Sequence, residues 1–128
     1  MITYLSVQHA LMDIVSETGE DFTPEGFCKY VDTNDQPLCI VGVYLKKYCN
    51  IPAQYFRGLA TGSSGLTKNE KNFRSLKGEL RDDFGLEWDS IAVDYLNQAQ
   101  HYQDEGKTWG EAIYMAKRNT DKDLVQTT

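Results

Sequence analysis

The segment 99-AQHYQDEGKTWGEAI-113 contains the clearest signals for the fold of this chain. It continues an apolar face that recurs at helical spacing from Ile91 to Tyr102, and Gly106 is a typical helix stop. Thr108 to Glu111 has the capping-box pattern, in which a threonine and a glutamate bond each other's backbone N–H groups. The segment therefore predicts two helices joined by a short turn. The apolar face of the second helix comprises Trp109, Ala112, Ile113 and Ala116.

Two helices joined by a short turn also occur in DNA-binding proteins, but the residues here do not suit that role. A recognition helix needs exposed base-reading side chains near its start, whereas residues 108–112, TWGEA, are acidic and apolar. The 128-residue chain has a formal net charge of −6, and affinity for nucleic acid comes largely from neutralising phosphates. We therefore expect a plain helical hairpin and no nucleic-acid binding.

Further helices are predicted before this hairpin. Residues 3–18 carry an apolar face at helical spacing and are followed by Gly19. A helix begins near Pro37 and ends near Cys49, and a short helical turn follows from Pro52. Another helix, opened by a capping box at Thr67 to Glu70, extends to Phe84. Asp89 is the expected cap of the first helix of the hairpin.

One β element is also predicted. The segment 27-FCKYV-31 is short and rich in β-forming residues. An alternative is that Leu38 to Ile40 pairs with it as a hairpin before the chain becomes helical. Gly42 costs about 1 kcal/mol in a helix relative to alanine, so its presence indicates the close approach of another element. We expect a mostly helical α+β domain over residues 1–120 and a flexible tail over residues 121–128.

The cysteines predict packing and neither disulfides nor a metal site. Their number is odd (Cys28, Cys39 and Cys49), no signal peptide is predicted from residues 1–21, and no C-x-x-C motif occurs. Cys39 lies near a predicted helix start, where a thiol can have a lowered pKa and become nucleophilic. However, nothing in the sequence places His9 or His101 beside it as a base. We interpret Cys39 as a buried packing residue.

Two groups of charged residues are candidate sites. Four carboxylates surround Gly85, but their spacing matches no calcium loop and indicates a solvated turn. Five basic residues recur from position 68 to 81, and they form either a solvated helix face or an anion-binding band. The carboxylates are Asp82, Asp83, Glu87 and Asp89. The basic residues are Lys68, Lys71, Arg74, Lys77 and Arg81.

The candidate binding surface lies around the loop 60-ATGSSG-65. A Gly/Ser loop can adapt to a partner, and aromatic and arginine side chains beside it are the types that dominate binding energy. The alternative is that Tyr55 and Phe56 belong to the core and the loop only connects two elements. The residues of the candidate surface are Tyr55, Phe56, Arg57, Lys68, Lys71 and Arg74.

Two segments, 28-CKYVDTNDQPLCIVG-42 and 99-AQHYQDEGKTWGEAI-113, resemble small proteins encoded by phages of actinobacteria. That group carries a C-x-Y-V segment, a P-x-C-[IL]-V-G segment and an A-Q-x-x-Q-D-x-G-x-[TS]-W-G-x-A segment. This chain departs from it in having Asn34-Asp35, where a glycine turn is common, and a lysine-rich second helix. The resemblance implies a phage-type accessory gene and no mechanism.

The sequence therefore favours binding over catalysis. It contains no catalytic constellation, implies no cofactor, and has no apolar run of the roughly 20 residues that span a membrane. We expect a cytoplasmic protein, in the host cytoplasm if it is phage-encoded, that binds a host protein and can act as its inhibitor. The alternatives are a module for a small anionic or nucleotide ligand and a thiol-dependent enzyme using Cys39. Self-association into a homo-oligomer stays open.

Overall fold

The computed structural model describes residues 1–23, 30, 39–56 and 72–126. These residues form five α-helices and one 3-10 turn. The α-helices are α1 (Tyr4–Thr18), α2 (Ile40–Cys49), α3 (Phe73–Phe84), α4 (Ser90–Asp104) and α5 (Trp109–Gln126), and the 3-10 turn is Ala53–Phe56.

The expected α+β class is wrong, because the described part of the chain contains no strand. Its one β-type pairing is an isolated parallel bridge between Ile2 and Trp88. Ile40, which was a candidate for a hairpin arm, is the first residue of α2, and Cys39 caps that helix by accepting the Gly42 N–H at 3.1 Å. Most of the predicted strand lies outside the described residues. Its one described member, Tyr30, is a fully buried core residue.

The helix boundaries follow from local caps, several of which the sequence predicts. Asp89 caps α4 by accepting the Ala92 N–H at 2.7 Å, and Thr108 accepts the Glu111 N–H at 3.1 Å at the start of α5. Gly85 ends α3 with a φ of 70°. That helix begins after Asn72, whose side chain accepts the Ser75 N–H at 2.8 Å. The capping box predicted at Thr67 to Glu70 lies outside the described residues.

Helix α4 is the centre of the fold, since it contacts each of the other four helices. Its most extensive contact is with α5, so the predicted helical hairpin is confirmed. The predicted core position of Trp109 is confirmed as well. The residue is 2% exposed, and its ring packs edge-on against Phe22 with ring centroids 4.7 Å apart. The buried face of α4 comprises Ala92, Val93, Tyr95, Leu96, Ala99, Gln100 and Gln103.

Two buried glutamines of α4 hold the starts of two other helices. Gln103 Oε1 accepts the Ile40 N–H at 2.7 Å, and Gln100 Oε1 accepts the Phe73 N–H at 2.9 Å. Ile40 and Phe73 are the first residues of α2 and α3, where backbone N–H groups have no acceptor within their own helix. The Gln100 amide also donates to the buried Tyr30 hydroxyl at 2.9 Å. The glutamines therefore allow both helix starts to be buried without losing their hydrogen bonds.

Helix α1 lies antiparallel to α5 and is fixed to it at both ends. After the end of α1, the Glu20 and Phe22 carbonyls accept the Gly110 and Trp109 N–H groups at 3.0 and 2.9 Å. Near the start of α1, the Tyr4 hydroxyl donates to Asp121 at 2.8 Å. Asp121, the first residue of the expected flexible tail, lies on α5.

Gly42 and Gly78 provide a matched test of the packing of α2. A Cβ at position 42 would lie 2.5 Å from the Tyr30 carbonyl oxygen, whereas a Cβ at position 78 meets nothing within 4 Å. The close approach expected at Gly42 is thus confirmed. We expect Gly42→Ala to lower the free energy of unfolding by about 1–3 kcal/mol through overpacking. Gly78→Ala should raise it by about 0.5–1 kcal/mol. Urea unfolding of both variants checks the opposite signs, and equal effects would contradict the packing.

The glutamine contact at the start of α2 has its own test. Gln103→Met keeps the length of the side chain but removes the acceptor of the buried Ile40 N–H. Leaving a buried donor unpaired should lower the free energy of unfolding by about 1–3 kcal/mol. The control is Gln54→Met, since Gln54 is exposed and such changes usually stay within about 0.5 kcal/mol. Equal stability of the two variants in urea unfolding would show that the Gln103 bond is dispensable.

Candidate functional site

The residues of the surface predicted around residues 55–74 differ in their exposure. Phe56 is fully buried and stacks on Tyr30 with ring centroids 5.3 Å apart. Tyr55 is half-buried and donates to Asp83 at 3.0 Å. Burial, together with this hydrogen bond, raises the pKa of Tyr55 to about 12. The alternative that these aromatics serve the core therefore holds for Phe56. Three members of the predicted surface, Arg57, Lys68 and Lys71, lie outside the described residues.

The described part of the basic band is partly paired with carboxylates. Arg74 forms an ion pair with Asp94 on α4. Arg81 pairs with Asp82 at 3.2 Å. Lys77 and Arg81 line a pocket of about 170 Å³, which is below the roughly 300–1,000 Å³ typical of ligand sites. These contacts give little support to an anion-binding band on α3.

Two of the four carboxylates around Gly85 have structural contacts. Asp89 caps α4, and Asp83 accepts the hydrogen bond from Tyr55. Within residues 1–23, 30, 39–56 and 72–126, no group of three or more His, Cys, Asp or Glu side chains is arranged to hold a metal ion.

Cys39 is buried, as the packing interpretation predicts, and in addition its sulfur caps α2. It is 1% exposed, lies in the core cluster, and accepts the Gly42 N–H through its sulfur. His101, the histidine considered as its base, is exposed and contacts Glu105 at 2.9 Å. A sulfur held in this way is shielded from any substrate in solution, so the geometry does not favour thiol chemistry.

A wider concave feature than the pocket beside Lys77 and Arg81 is a cleft of about 740 Å³ between α1 and α5. We call it the α1–α5 cleft. One end of the cleft includes Gly110 and Glu20, which are bonded together, and the lining extends along α5 as far as Lys117 and Arg118. The residues that line it are Gln8, Met12, Val15, Glu20, Asp21, Tyr95, Thr108, Gly110, Glu111, Ile113, Tyr114, Met115, Lys117 and Arg118.

Apolar side chains remain exposed on both walls of the cleft. Met12 on α1 is 54% exposed and Tyr114 on α5 is 66% exposed, while Met115 beside it is half-buried. Val15 and Tyr95 are buried residues that line the same cleft. Exposed apolar side chains that adjoin a concave surface are typical of binding sites, and the flexible methionine side chain adapts to many partners.

The charges of the cleft are separated along its length. Glu20, Asp21 and Glu111 lie at the end where α5 begins, and Lys117 and Arg118 lie about two helical turns further along α5. Lys117 is bonded to Asp121 at 2.6 Å, and this contact is the main cause of the lowered pKa of the Asp121 carboxyl. Arg118 has no ion-pair partner among the described residues. The cleft therefore has an acidic end and a basic end.

Sequence reasoning missed this cleft, although one signal for it was present. Glu111, Tyr114, Met115 and Arg118 follow one another at the i, i+3, i+4 and i+7 positions of a single helix face. This stripe is separate from the face of Trp109 and Ala112, which is buried. A second partly apolar stripe on a surface helix suggests a second packing partner.

Comparison of the chain with protein-family models, with curated proteins and with solved structures finds no match. The resemblance to actinobacterial phage proteins therefore stays a prediction. Among the helices that the structure describes, none combines the length and apolar composition that a membrane crossing requires.

Cys39 provides a test of the packing interpretation. We expect Cys39→Ala to lower the free energy of unfolding by about 1–3 kcal/mol, because it removes both buried volume and the cap of α2. In the native protein, Cys39 should react with a thiol reagent much more slowly than in urea. Rapid modification of Cys39 under native conditions would contradict its burial.

Proposed function

We propose that the protein acts without catalysis, by binding an amphipathic helix of another protein in the α1–α5 cleft. If the chain is phage-encoded, that partner is a protein of the host. The observation that supports this most directly is the exposure of Met12 and Tyr114 on opposite walls of the cleft. The proposed site replaces the surface around residues 55–74, where Phe56 is buried.

A helix is the expected form of the ligand because of the shape of the cleft. Two antiparallel helices, joined at both ends, leave a groove that runs along their axes. An amphipathic helix fits such a groove by placing its apolar side chains between those of the two walls. The exposed methionine and tyrosine provide the apolar contacts, and the flanking charges provide specificity.

The two alternative functions have weaker support. A thiol-dependent enzyme needs an accessible sulfur, and Cys39 is 1% exposed. A module for an anionic or nucleotide ligand would use the basic residues from position 68 to 81, of which Arg74 and Arg81 already contact Asp94 and Asp82. Lys68 and Lys71 lie outside the described residues. We therefore retain protein binding as the proposed function.

Two variants of α1 test the proposal. Met12 lines the cleft, whereas Leu5 does not, although it is 60% exposed on the same helix. Met12→Lys and Leu5→Lys introduce the same charge, and both sites are exposed, so both proteins should remain folded. We expect the unaltered chain and the Leu5→Lys variant to capture the same host protein in equal amounts. The Met12→Lys variant should capture at least tenfold less of that protein. The measurement is quantitative affinity capture followed by binding assays with the purified partner.

The controls make the result decisive. Circular dichroism and urea unfolding establish that both variants keep the fold. If the three proteins capture the same set of partners in the same amounts, the α1–α5 cleft is not the binding site and the proposal fails.

A further inference from the structure

We infer that the partner helix lies in one direction only, with its amino end at Glu20, Asp21 and Glu111 and its carboxyl end at Arg118. The partner should be basic in its first turns and acidic in its last turns. This inference rests on the proposed function, since it concerns the occupant of the same cleft.

The first argument comes from the position of the charges on α5. Glu111 and Arg118 are seven residues apart on one face, which corresponds to roughly 10 Å along the axis. Tyr114 and Met115 lie between them on that face. A helix lying beside this stripe therefore meets a carboxylate, then apolar side chains, then a guanidinium.

The second argument is that both ends of the cleft have charge available for a partner. Glu20 and Asp21 are exposed and add to Glu111 at the acidic end. At the basic end, Asp121 engages Lys117, whereas Arg118 is exposed and lacks an ion-pair partner in the part of the chain that the structure describes. Charged side chains of a partner can pair with both ends without displacing the Lys117–Asp121 contact.

The third argument is the dipole of the partner helix itself. Its amino end is partly positive and its carboxyl end partly negative, so the acidic end of the cleft attracts the former and Arg118 the latter. Basic side chains at the amino end and acidic side chains at the carboxyl end of the partner favour the same direction as its dipole. In the reverse direction like charges would face each other, and that opposition suppresses incorrect docking.

Two stapled helical peptides test the direction. Each has about 12 residues, or roughly 18 Å of helix, so that its first and last turns are about as far apart as Glu111 and Arg118. Each carries a leucine stripe at i, i+3, i+4 and i+7 and a fluorescent label. Peptide A has lysines in its first turn and glutamates in its last turn. Peptide B has the same first turn and differs only in its last turn, where lysines replace the glutamates. Stapling keeps the helicity of the free peptides equal, so a difference in affinity reports contacts with the cleft.

The dissociation constants are measured by fluorescence anisotropy at low salt. The unaltered protein should bind peptide A about two- to fivefold more tightly than peptide B, the range expected for exposed ion pairs. Arg118→Glu should reverse this preference. Lys122→Glu makes the same change of charge at an exposed residue that does not line the cleft, so it should leave the preference for peptide A intact.

The other outcomes separate the direction from the function. If Met12→Lys weakens the binding of both peptides but Arg118→Glu does not change which peptide binds more tightly, the cleft binds helices and the inferred direction is wrong. If neither peptide binds, or if Met12→Lys leaves their binding unchanged, the proposed function fails as well. The protein alone is also examined in the ultracentrifuge. If it self-associates and Met12→Lys abolishes that association, the cleft binds a second copy of the chain, and both the inferred direction and the proposed function are wrong.

Discussion

The arrangement of the helices depends on two hydrogen bonds from α4 to the starts of α2 and α3. Gln103 and Gln100 are 3% and 1% exposed, and each accepts the first backbone N–H of another helix. A buried donor without an acceptor is costly, so α2 and α3 can start at this depth only where α4 presents an amide oxygen. Apolar contacts tolerate small sliding movements, whereas these bonds fix the position of each helix along α4.

The remaining contacts near these bonds reinforce the same arrangement. Tyr30 accepts a hydrogen bond from Gln100 and stacks on Phe56, so a side chain distant in sequence joins the helix starts to the 3-10 turn. The close approach of the Tyr30 carbonyl to Gly42 requires a residue without a side chain in α2. Residues 39–42 of the P-x-C-[IL]-V-G segment and the two glutamines of the A-Q-x-x-Q-D segment thus meet in a single buried cluster.

The parts of the fold that could be predicted depend on neighbours in sequence, and the parts that could not depend on distant contacts. Asp89, Gly85 and Thr108 act within a few residues of themselves, and the α4–α5 hairpin follows from them. Ile40 and Gln103 are 63 positions apart, and a glutamine within an apolar helix face gives no indication that it is buried. The cleft was missed for the same reason. Met12 and Tyr114 lie on different helices, and a single exposed apolar residue is ordinary in any sequence.

The distance in sequence between the glutamines and their partners also affects the order in which the chain can fold during synthesis. Helix α2 leaves the ribosome well before the residues of α4, and α3 follows it before Gln100 emerges. Until α4 emerges, the first N–H groups of both helices have only water as an acceptor, which favours keeping them at the surface. The amino-terminal half of the chain therefore has to wait for the carboxyl-terminal half before its core can close. The apolar residues of α2 and α3 stay accessible to chaperones during that interval.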